Sequence, residues 1–257
     1  MHSEPVTSSN QALARGLHVL QMLVESPEPL TTTEIARRLN LHQSSISRIL
    51  TTLAQYGYVR RPSRGRFAPD FGLLSLAAST IPKFSLVTRP RAAMEQIAEL
   101  CPGFSVTLGA LWKGRMIYFL RTSTTAPTID FVTSDFPVHL SAPGLRLLLD
   151  VPREEALTIL RGSRERFGWR GEDVVPSSEE AVLDFATAQV AHDVLILPGW
   201  SRRGDVGAAI PVQSPDEGQP PLALSLTGVA EPGIDPDTLR LWLHDGRRLL
   251  ESALRTP

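Results

Sequence analysis

The sequence predicts an α+β protein in two parts: a small helix-rich module at the N-terminal end and a larger body built on antiparallel strands. Three observations support this prediction. Apolar residues recur at helical spacing in the first quarter of the chain, alternating strand patterns fill much of the remainder, and the two parts differ in net charge. We expect a winged helix-turn-helix domain over residues 1–69 (1–10 as a loose tail), a linker helix over 70–82 and a second domain over 83–257.

Residues 42–53 have the pattern of a helix with two unlike faces. The apolar residues follow the i, i+3, i+4, i+7 spacing of one buried face: Ile46, Ile49, Leu50 and Leu53. The opposite face carries short hydroxyls and one guanidinium, with no acid: Ser44, Ser47, Arg48 and Thr51. Such a face can approach base edges and phosphates closely in a DNA major groove. An ordinary solvated helix face is the alternative interpretation.

Two further helices precede this stretch. The segment 11–25 carries an apolar stripe, and the prolines at 27 and 29 end it. Residues 31–34 read as a capping box that begins a second helix, because Thr31 can cap the helix while Glu34 reaches back. A short turn at Asn40 then leads into the third helix. This spacing is typical of a helix-turn-helix.

A basic hairpin follows the third helix. Strand-like runs at 58–61 and 66–68 flank the turn 62–65. Four arginines lie on or beside its tip: Arg60, Arg61, Arg64 and Arg66. Directly after a helix-turn-helix, this pattern predicts a wing that lays cations along phosphates or into a minor groove. A hairpin that serves only solubility is the alternative.

The charge distribution supports a nucleic-acid module. Residues 1–69 hold eight Arg and four Glu, a net charge of +4, whereas the remaining 188 residues hold 18 basic and 23 acidic side chains. A basic module on an acidic body indicates that only the former contacts nucleic acid. We predict DNA contacts from the following side chains: Thr32, Gln43, Ser44, Ser45, Ser47, Arg48, Thr51, Arg61, Arg64 and Arg66.

The body alternates between helix and strand patterns. We expect a first helix over 85–100, a charged loop over 162–175 and a final helix from Asp235. Strand patterns occur at 104–111, 116–120, 128–132, 194–197, 206–212 and 222–229. We expect antiparallel strands with helices in front and behind, an α+β layer fold.

The sequence argues against an enzyme. Cys101 stands alone, and the six His residues show no paired metal-ligand spacing. Neither a Gly-x-Ser-x-Gly elbow nor a phosphate-binding loop after a strand is present in the sequence. We therefore expect no catalytic residues, no metal and no cofactor. An enzyme, and a DNA-architectural protein without an effector, remain the alternatives to a regulator.

The composition indicates the cellular compartment. The chain is 42% hydrophobic and 21% charged, which is ordinary for a globular protein. It has one cysteine and no run approaching the ~18 apolar residues of a membrane span. We expect a cytoplasmic protein that does not contact a membrane.

Several segments, taken in order, resemble the IclR family of bacterial transcriptional regulators. They are 30–50, Leu53, 57–59 and 65–67 in the first part, and 89–90, 104–121, 137–144 and 207–212 in the second. The resemblance covers roughly residues 11–252. It implies a GAF-like effector-binding domain, binding to double-stranded operator DNA, and a homodimer or homotetramer. It also favours a ligand-responsive repressor of a catabolic or metabolic operon.

The resemblance further implies an effector site at a helix start, a loop and the last strands. The matching positions are Ser141, Ala142, Gly144, Ile196, Trp200, Val206, Ser225 and Thr227. Ser225 and Thr227 share one face of a strand because side chains alternate. Ile196 and Val206 replace polar or thiol side chains of family members that bind small acids. We therefore expect an apolar or aromatic effector with one carboxylate or hydroxyl, unless these two residues are simply core.

Overall fold

The computed structural model describes residues 10–132, 136–171, 173–215, 218–229 and 234–255. Contacts divide the chain into two compact units, residues 1–83 and 84–257. The predicted separation of a winged domain from a linker helix falls within the first unit and stays a prediction. Residues 1–9 of the predicted tail lie outside the described residues.

The first unit is built from helices and one small sheet. Its elements are α1 (Gln11–Glu25), β1 (Leu30–Thr31), α2 (Thr32–Leu39), α3 (Gln43–Gln55), β2 (Val59–Ser63), β3 (Arg66–Pro69) and α4 (Phe71–Thr80). The strands form an antiparallel sheet in the order β1–β3–β2. The predicted three helices and basic hairpin are therefore present, and Asp70 caps α4 by accepting a bond from the Phe71 amide at 2.8 Å.

Reciprocal capping fixes the start of α2. Thr31 Oγ1 accepts a bond from the Glu34 amide at 3.2 Å, and Glu34 Oε2 accepts one from the Thr31 amide at 2.7 Å. These bonds lower the pKa of the Glu34 carboxyl, chiefly through the backbone of Thr31. Asn40 ends the helix in the left-handed region at φ 51°, which turns the chain into α3. The two helices are thus held at a defined turn.

The apolar faces of the first three helices form the core of the first unit. Its fully buried members include Val19 from α1, Ile35 from α2, and Ile46 and Leu50 from α3. The helix α4 differs because none of its residues is buried within the chain. An apolar helix without a cover in its own unit calls for one from outside that unit.

The second unit contains a six-stranded antiparallel sheet in the order β6–β5–β4–β9–β8–β7. Its strands are β4 (Ser105–Trp112), β5 (Arg115–Ser123), β6 (Ala126–Val132), β7 (Leu195–Pro198), β8 (Asp205–Val212) and β9 (Leu222–Val229). Its helices are α5 (Ser85–Thr88), α6 (Arg91–Leu100), α7 (Ala142–Leu148), α8 (Arg153–Phe167), α9 (Glu179–Gln189) and α10 (Pro236–Arg255).

Different helices cover the two faces of this sheet. A Cβ added at Gly246 of α10 would lie 2.7 Å from Leu224 of β9, and 3.2 Å from Ile97 of α6, so these elements pack together on one face. A Cβ added at Gly207 of β8 would lie 3.3 Å from Ala142 of α7, which covers the opposite face. Neighbouring residues of a strand therefore face different helices.

Two expectations about helix bounds were wrong. The single helix expected over 85–100 is interrupted at Pro90, which lacks the N–H that would continue the helix. The loop expected from residue 162 begins as part of α8, which continues to Phe167 and ends at Gly168 with φ 72°. An isolated glycine at 162 weakens a helix without breaking it.

Within the described residues, no single helix is long and apolar enough to cross a membrane; the consecutive segments Phe71–Lys83 and Ser85–Leu100 meet the test of length and composition only when joined.

The cap of α2 generates a stability prediction. Thr31→Ala removes the acceptor for the Glu34 amide and should destabilise the first unit by about 1 kcal/mol, so that α2 amides exchange hydrogen about fivefold faster. Hydrogen exchange on the full-length protein measures this rate. Thr51→Ala, an exposed α3 change outside the cap, is the control. Equal exchange rates in wild type and Thr31→Ala would contradict a stabilising role for the cap.

Candidate DNA interface and ligand cavity

The front of α3 is exposed while its back is buried. Gln43, Ser44, Ser47, Arg48 and Thr51 are exposed, and Ser45 is half-buried beside the core. No acidic residue occurs in the helix. Except for Ser45, the predicted recognition residues of this helix therefore lie on one solvent-facing, acid-free surface.

Local bonds order part of this surface. Gln43 Nε2 donates to Thr33 Oγ1 at 2.9 Å, which joins the start of α3 to the start of α2. Thr51 Oγ1 donates to the Ser47 carbonyl at 2.9 Å within α3. Thr32 is half-buried in the first turn of α2. Polar groups at both helix starts thus share one region of the first unit.

The hairpin arginines are exposed but not equivalent. Arg66 Nη1 donates to the Pro29 carbonyl at 2.7 Å, and the Arg61 guanidinium lies 5.0 Å from the centre of the Phe67 ring. Arg64 lies at the tip beside Gly65, whose φ of 75° the turn requires. Arg64 is therefore the side chain best placed to reach outward from the hairpin.

A cavity of ≈260 Å³ in the second unit lies between the sheet and the start of α7. It is lined by Ser105, Thr107, Tyr118, Arg121, Phe136, Leu140, Ser141, Ala142, Pro143, Ser201, Gly207, Ser225 and Thr227. Most of the polar lining consists of neutral hydroxyls. The lining can therefore bind a small molecule by hydrogen bonds around a modest apolar surface.

Strand register brings four of the predicted effector residues together here. Ser225 pairs with Thr107, and Thr227 pairs with both Ser105 and Gly207. Directly paired residues of neighbouring strands point to the same side of a sheet. Ser225 and Thr227 consequently face the cavity, where α7 brings Ser141 and Ala142 against them.

The structure does not bring Ile196 and Val206 to this cavity. Val206 precedes the cavity residue Gly207, and Ile196 pairs with Ala208, so both residues point to the opposite face of the sheet. Both are buried there. The expectation that they line one site with Ser225 was wrong because adjacent strand positions alternate between faces.

Two other predicted residues have structural roles. Trp200 Nε1 donates to the His139 carbonyl at 2.6 Å, and the Trp200 ring packs 4.7 Å from that of Phe185. The Gly144 amide donates to Ser141 Oγ at 3.0 Å, and Pro143 has no amide hydrogen. Neither of these two positions at the start of α7 therefore has a free amide hydrogen for a ligand.

Two hydroxyls form the floor of the cavity, one from the buried Ser141 and one from the half-buried Tyr118. Tyr118 Oη lies 2.7 Å from Ser141 Oγ, which is the same atom that accepts the Gly144 amide bond. Burial raises the pKa of the Tyr118 phenol to about 12, although the bond from Ser141 opposes this shift. The phenol therefore remains protonated near neutral pH and keeps its hydrogen as a donor.

Arg121 supplies a cation that the sequence prediction missed. Its Nε donates to Ser105 Oγ at 2.7 Å, and the side chain is exposed at the edge of the cavity. Tyr118 and Arg121 are three residues apart, so regular alternation would place them on opposite faces. An irregularity in the β4–β5 register at Leu108 and Gly109 brings both to the cavity.

No metal site is found among the residues that the structure describes, since none of their His, Cys, Asp and Glu side chains form a group of three or more able to hold an ion. Burial raises the pKa of the Cys101 thiol to about 12. That thiol is therefore poorly suited to act as a thiolate nucleophile.

Comparisons with known proteins place the first unit. Residues 12–63 match the family profile described as the IclR helix-turn-helix domain. The chain is similar to the transcriptional repressor IclR of Escherichia coli, with 40% identity over 167 residues, covering 61% of this chain and 58% of that protein. It is 26% identical over 161 residues to the acetate operon repressor of Salmonella typhimurium, covering 61% and 58%. The chain thus spans less than two thirds of either relative.

Solved structures match nearly the whole chain. An IclR family transcriptional regulator from Brucella abortus matches with a TM-score of 0.74 and 23% identity, over 96% of this chain and 92% of that one. An IclR homolog from Microbacterium hydrocarbonoxydans, complexed with 4-hydroxybenzoate, matches with a TM-score of 0.65 and 23% identity, over 95% and 99%. At this identity the match concerns the fold, and it confirms the predicted α+β architecture.

The buried Tyr118 phenol generates a pH prediction. The part of the phenolate absorbance that Tyr118→Phe removes should appear near pH 12. Because the folded pKa is raised above the ordinary value of about 10, this residue's contribution to stability is complete below pH 10 and is lost as the pH rises toward 12. Ultraviolet titration of wild type and Tyr118→Phe measures this. A missing absorbance centred near pH 10 would contradict the burial of the phenol.

Proposed function

We propose that this chain is a transcriptional regulator of the IclR family, whose helix-turn-helix profile residues 12–63 match, that it binds operator DNA and that it responds to a small-molecule effector. The observation that carries the proposal is the exposed, acid-free face of α3 in a unit whose own core is complete. Arginine and small hydroxyls on such a face suit both phosphates and base edges.

In this proposal α3 reads the major groove while the hairpin holds phosphates. Ser44 and Arg48 face solvent on α3, where Arg48 can bind a guanine edge with two hydrogen bonds. Arg64 at the hairpin tip contributes charge that does not depend on base sequence. Arg66 also adds charge, although its bond to Pro29 restrains it.

We propose that a second copy of the chain covers the apolar surface of α4. Phe71 is 78% exposed and Leu74 is 64% exposed on this helix, and Leu13 and Leu17 are exposed on α1. A groove of ≈720 Å³ lies between α1, α3 and Leu76 of α4, and Arg48 lies on its wall, so the second copy must leave the Arg48 guanidinium free to reach DNA. Two recognition helices in a dimer match a roughly palindromic operator, with half-sites about one DNA turn apart. Contacts between second units would join two such dimers into a tetramer.

We propose that the effector is a small apolar or aromatic compound with one carboxylate or hydroxyl. Ile196 and Val206 no longer argue for an apolar ligand, whereas Leu140, Ala142 and Phe136 supply apolar lining. At ≈260 Å³ the cavity falls below the ~300–1,000 Å³ of sites for drug-sized molecules, which favours a small compound. The 4-hydroxybenzoate bound by a protein of the same fold supports an apolar or aromatic effector with a carboxylate or hydroxyl.

We further propose a cytoplasmic repressor of a catabolic or metabolic operon. The effector would act by favouring one arrangement of the two helix-turn-helix modules in the dimer, which it does only to the extent that it binds that arrangement better. A cavity of this kind has no use in a purely architectural DNA-binding protein. The curated relatives named above are repressors, which supports regulation over catalysis.

Alanine substitutions separate base reading from phosphate binding. Arg48→Ala should weaken operator binding by about 1–3 kcal/mol and relax the preference at one base position. Arg64→Ala should weaken binding to all sequences alike and reduce the salt slope by about one. Gel shifts across a salt series, on an operator selected from random DNA and on its scrambled form, measure both effects.

Arg161→Ala, an exposed change in the second unit, is the matched control and should leave DNA binding unchanged. An Arg48→Ala protein with wild-type affinity and preference would contradict the assignment of α3 as the reading helix.

Light scattering on the full-length protein should give a molar mass well above the 28.1 kDa of one chain, because a second copy covers α4. Leu74→Glu places a charge on the uncovered face of α4 and should shift the protein toward smaller species, because burying an unpaired charge is costly. Val174→Glu, at an exposed apolar residue of the second unit, is the control. A wild-type monomer at micromolar concentration would refute the proposal.

A further inference from the structure

We propose that Arg121 selects a carboxylic acid as the effector, binding the carboxylate at the mouth of the cavity while the hydroxyls of the floor bind a polar group at the other end of the molecule. This inference rests on the proposed function, because it assigns a ligand class to the same cavity. The one charged side chain that the structure describes in the cavity lining, Arg121, lies at the exposed end of the cavity.

The charge and the two most deeply buried hydroxyls lie at different depths. Arg121 is exposed, whereas Ser141 and Ser225 are each 3% exposed. Among the lining residues that the structure describes, Arg121 is the only one with a charged side chain. The cavity therefore has a positive mouth and a neutral polar floor.

This arrangement orients an acid. A carboxylate at the floor would lose its water and meet only neutral groups, which is costly. At the mouth it keeps part of its hydration and meets a guanidinium, with which charge-assisted hydrogen bonds are strong. The carboxylate end of a ligand should therefore face outward.

The guanidinium is already held in place. Its bond to Ser105 Oγ uses Nε, so the fork formed by the two terminal nitrogens is the part that can turn to a ligand. A planar fork matches a carboxylate with two parallel hydrogen bonds, and restraining it beforehand reduces the entropy lost on binding. The same bond ties the fork to β4, whose Thr107 also lines the cavity.

The floor can donate one hydrogen bond to the inner end of a ligand. Tyr118 and Ser141 have two hydroxyl hydrogens between them, and their mutual bond uses one. Ser141 Oγ also accepts the Gly144 amide, so whichever way the mutual bond runs, one hydroxyl hydrogen remains. A hydroxyl or carbonyl oxygen on the ligand would be its partner.

The mouth has room for a carboxylate. It continues into a neighbouring cavity of ≈580 Å³ that shares Ser105, Arg121 and Thr227 with the first. On the wall of that second cavity, Arg202 is paired with Asp205 at 3.1 Å. Arg202 is exposed, belongs to the lining of the second cavity alone, and therefore serves as a matched control for Arg121.

Calorimetric titration of the full-length protein tests the inference with 4-hydroxybenzoate and its neutral analogue 4-hydroxybenzamide. Arg121→Gln should weaken binding of the acid by about tenfold to a hundredfold, and binding of the amide by a much smaller factor. Arg121→Lys, which keeps the charge and loses the fork, should fall between wild type and Arg121→Gln. Arg202→Gln should bind both compounds as the wild type does. Thermal melts of each variant establish that it is folded.

Two results would overturn the inference alone. In the first, the wild-type protein binds the amide as tightly as the acid. In the second, Arg121→Gln leaves binding of the acid unchanged although Ser225→Val abolishes it. A third result would overturn the effector proposal as well, namely that benzoate, 4-hydroxybenzoate, glyoxylate and the amide all fail to bind the wild-type protein.

Discussion

The antiparallel register of β4, β9 and β8 determines what the second unit can bind. Because side chains alternate along each strand, pairing Thr107 with Ser225 and Gly207 with Thr227 gathers hydroxyls and a glycine on the face under α7. The apolar residues between them go to the face under α6 and α10. A shift of one residue in any of these strands would bury the hydroxyls in that apolar layer and remove the cavity.

In the first unit, helical periodicity likewise separates buried from exposed side chains. The apolar back of α3 is held by a core that α1 and α2 complete, so its front does not need to contribute to stability. Residues there are available for recognition, and the capping bonds between Thr31 and Glu34 fix the helix that precedes the turn. In the first unit, burial of one helix face leaves a polar surface on the other, whereas in the second unit a row of hydroxyls interrupts the apolar packing under α7. The apolar helix α4 is the exception, and its uncovered surface underlies the proposed dimer.

Much of this architecture could be predicted from the sequence, because periodicity and caps are local signals. The capping box, the basic hairpin and the shared face of Ser225 and Thr227 all follow from residues close together in the chain. Ile196 and Val206 were misplaced because position in a family pattern does not specify which face of a strand a residue occupies. Tyr118 and Arg121 were missed because they share a face only through an irregularity of pairing, which no local pattern reveals.

Methyl NMR of the full-length protein tests most directly whether the ligand binds the hydroxyl-bearing face of the sheet. Thr107 and Thr227 carry methyl groups on that face, whereas Ile196 and Ile210 carry theirs on the other. Titration with 4-hydroxybenzoate should shift the two threonine methyl resonances and leave both isoleucine resonances nearly unchanged. Shifts centred on Ile196 and Ile210, with the threonine methyls unaffected, would contradict the account.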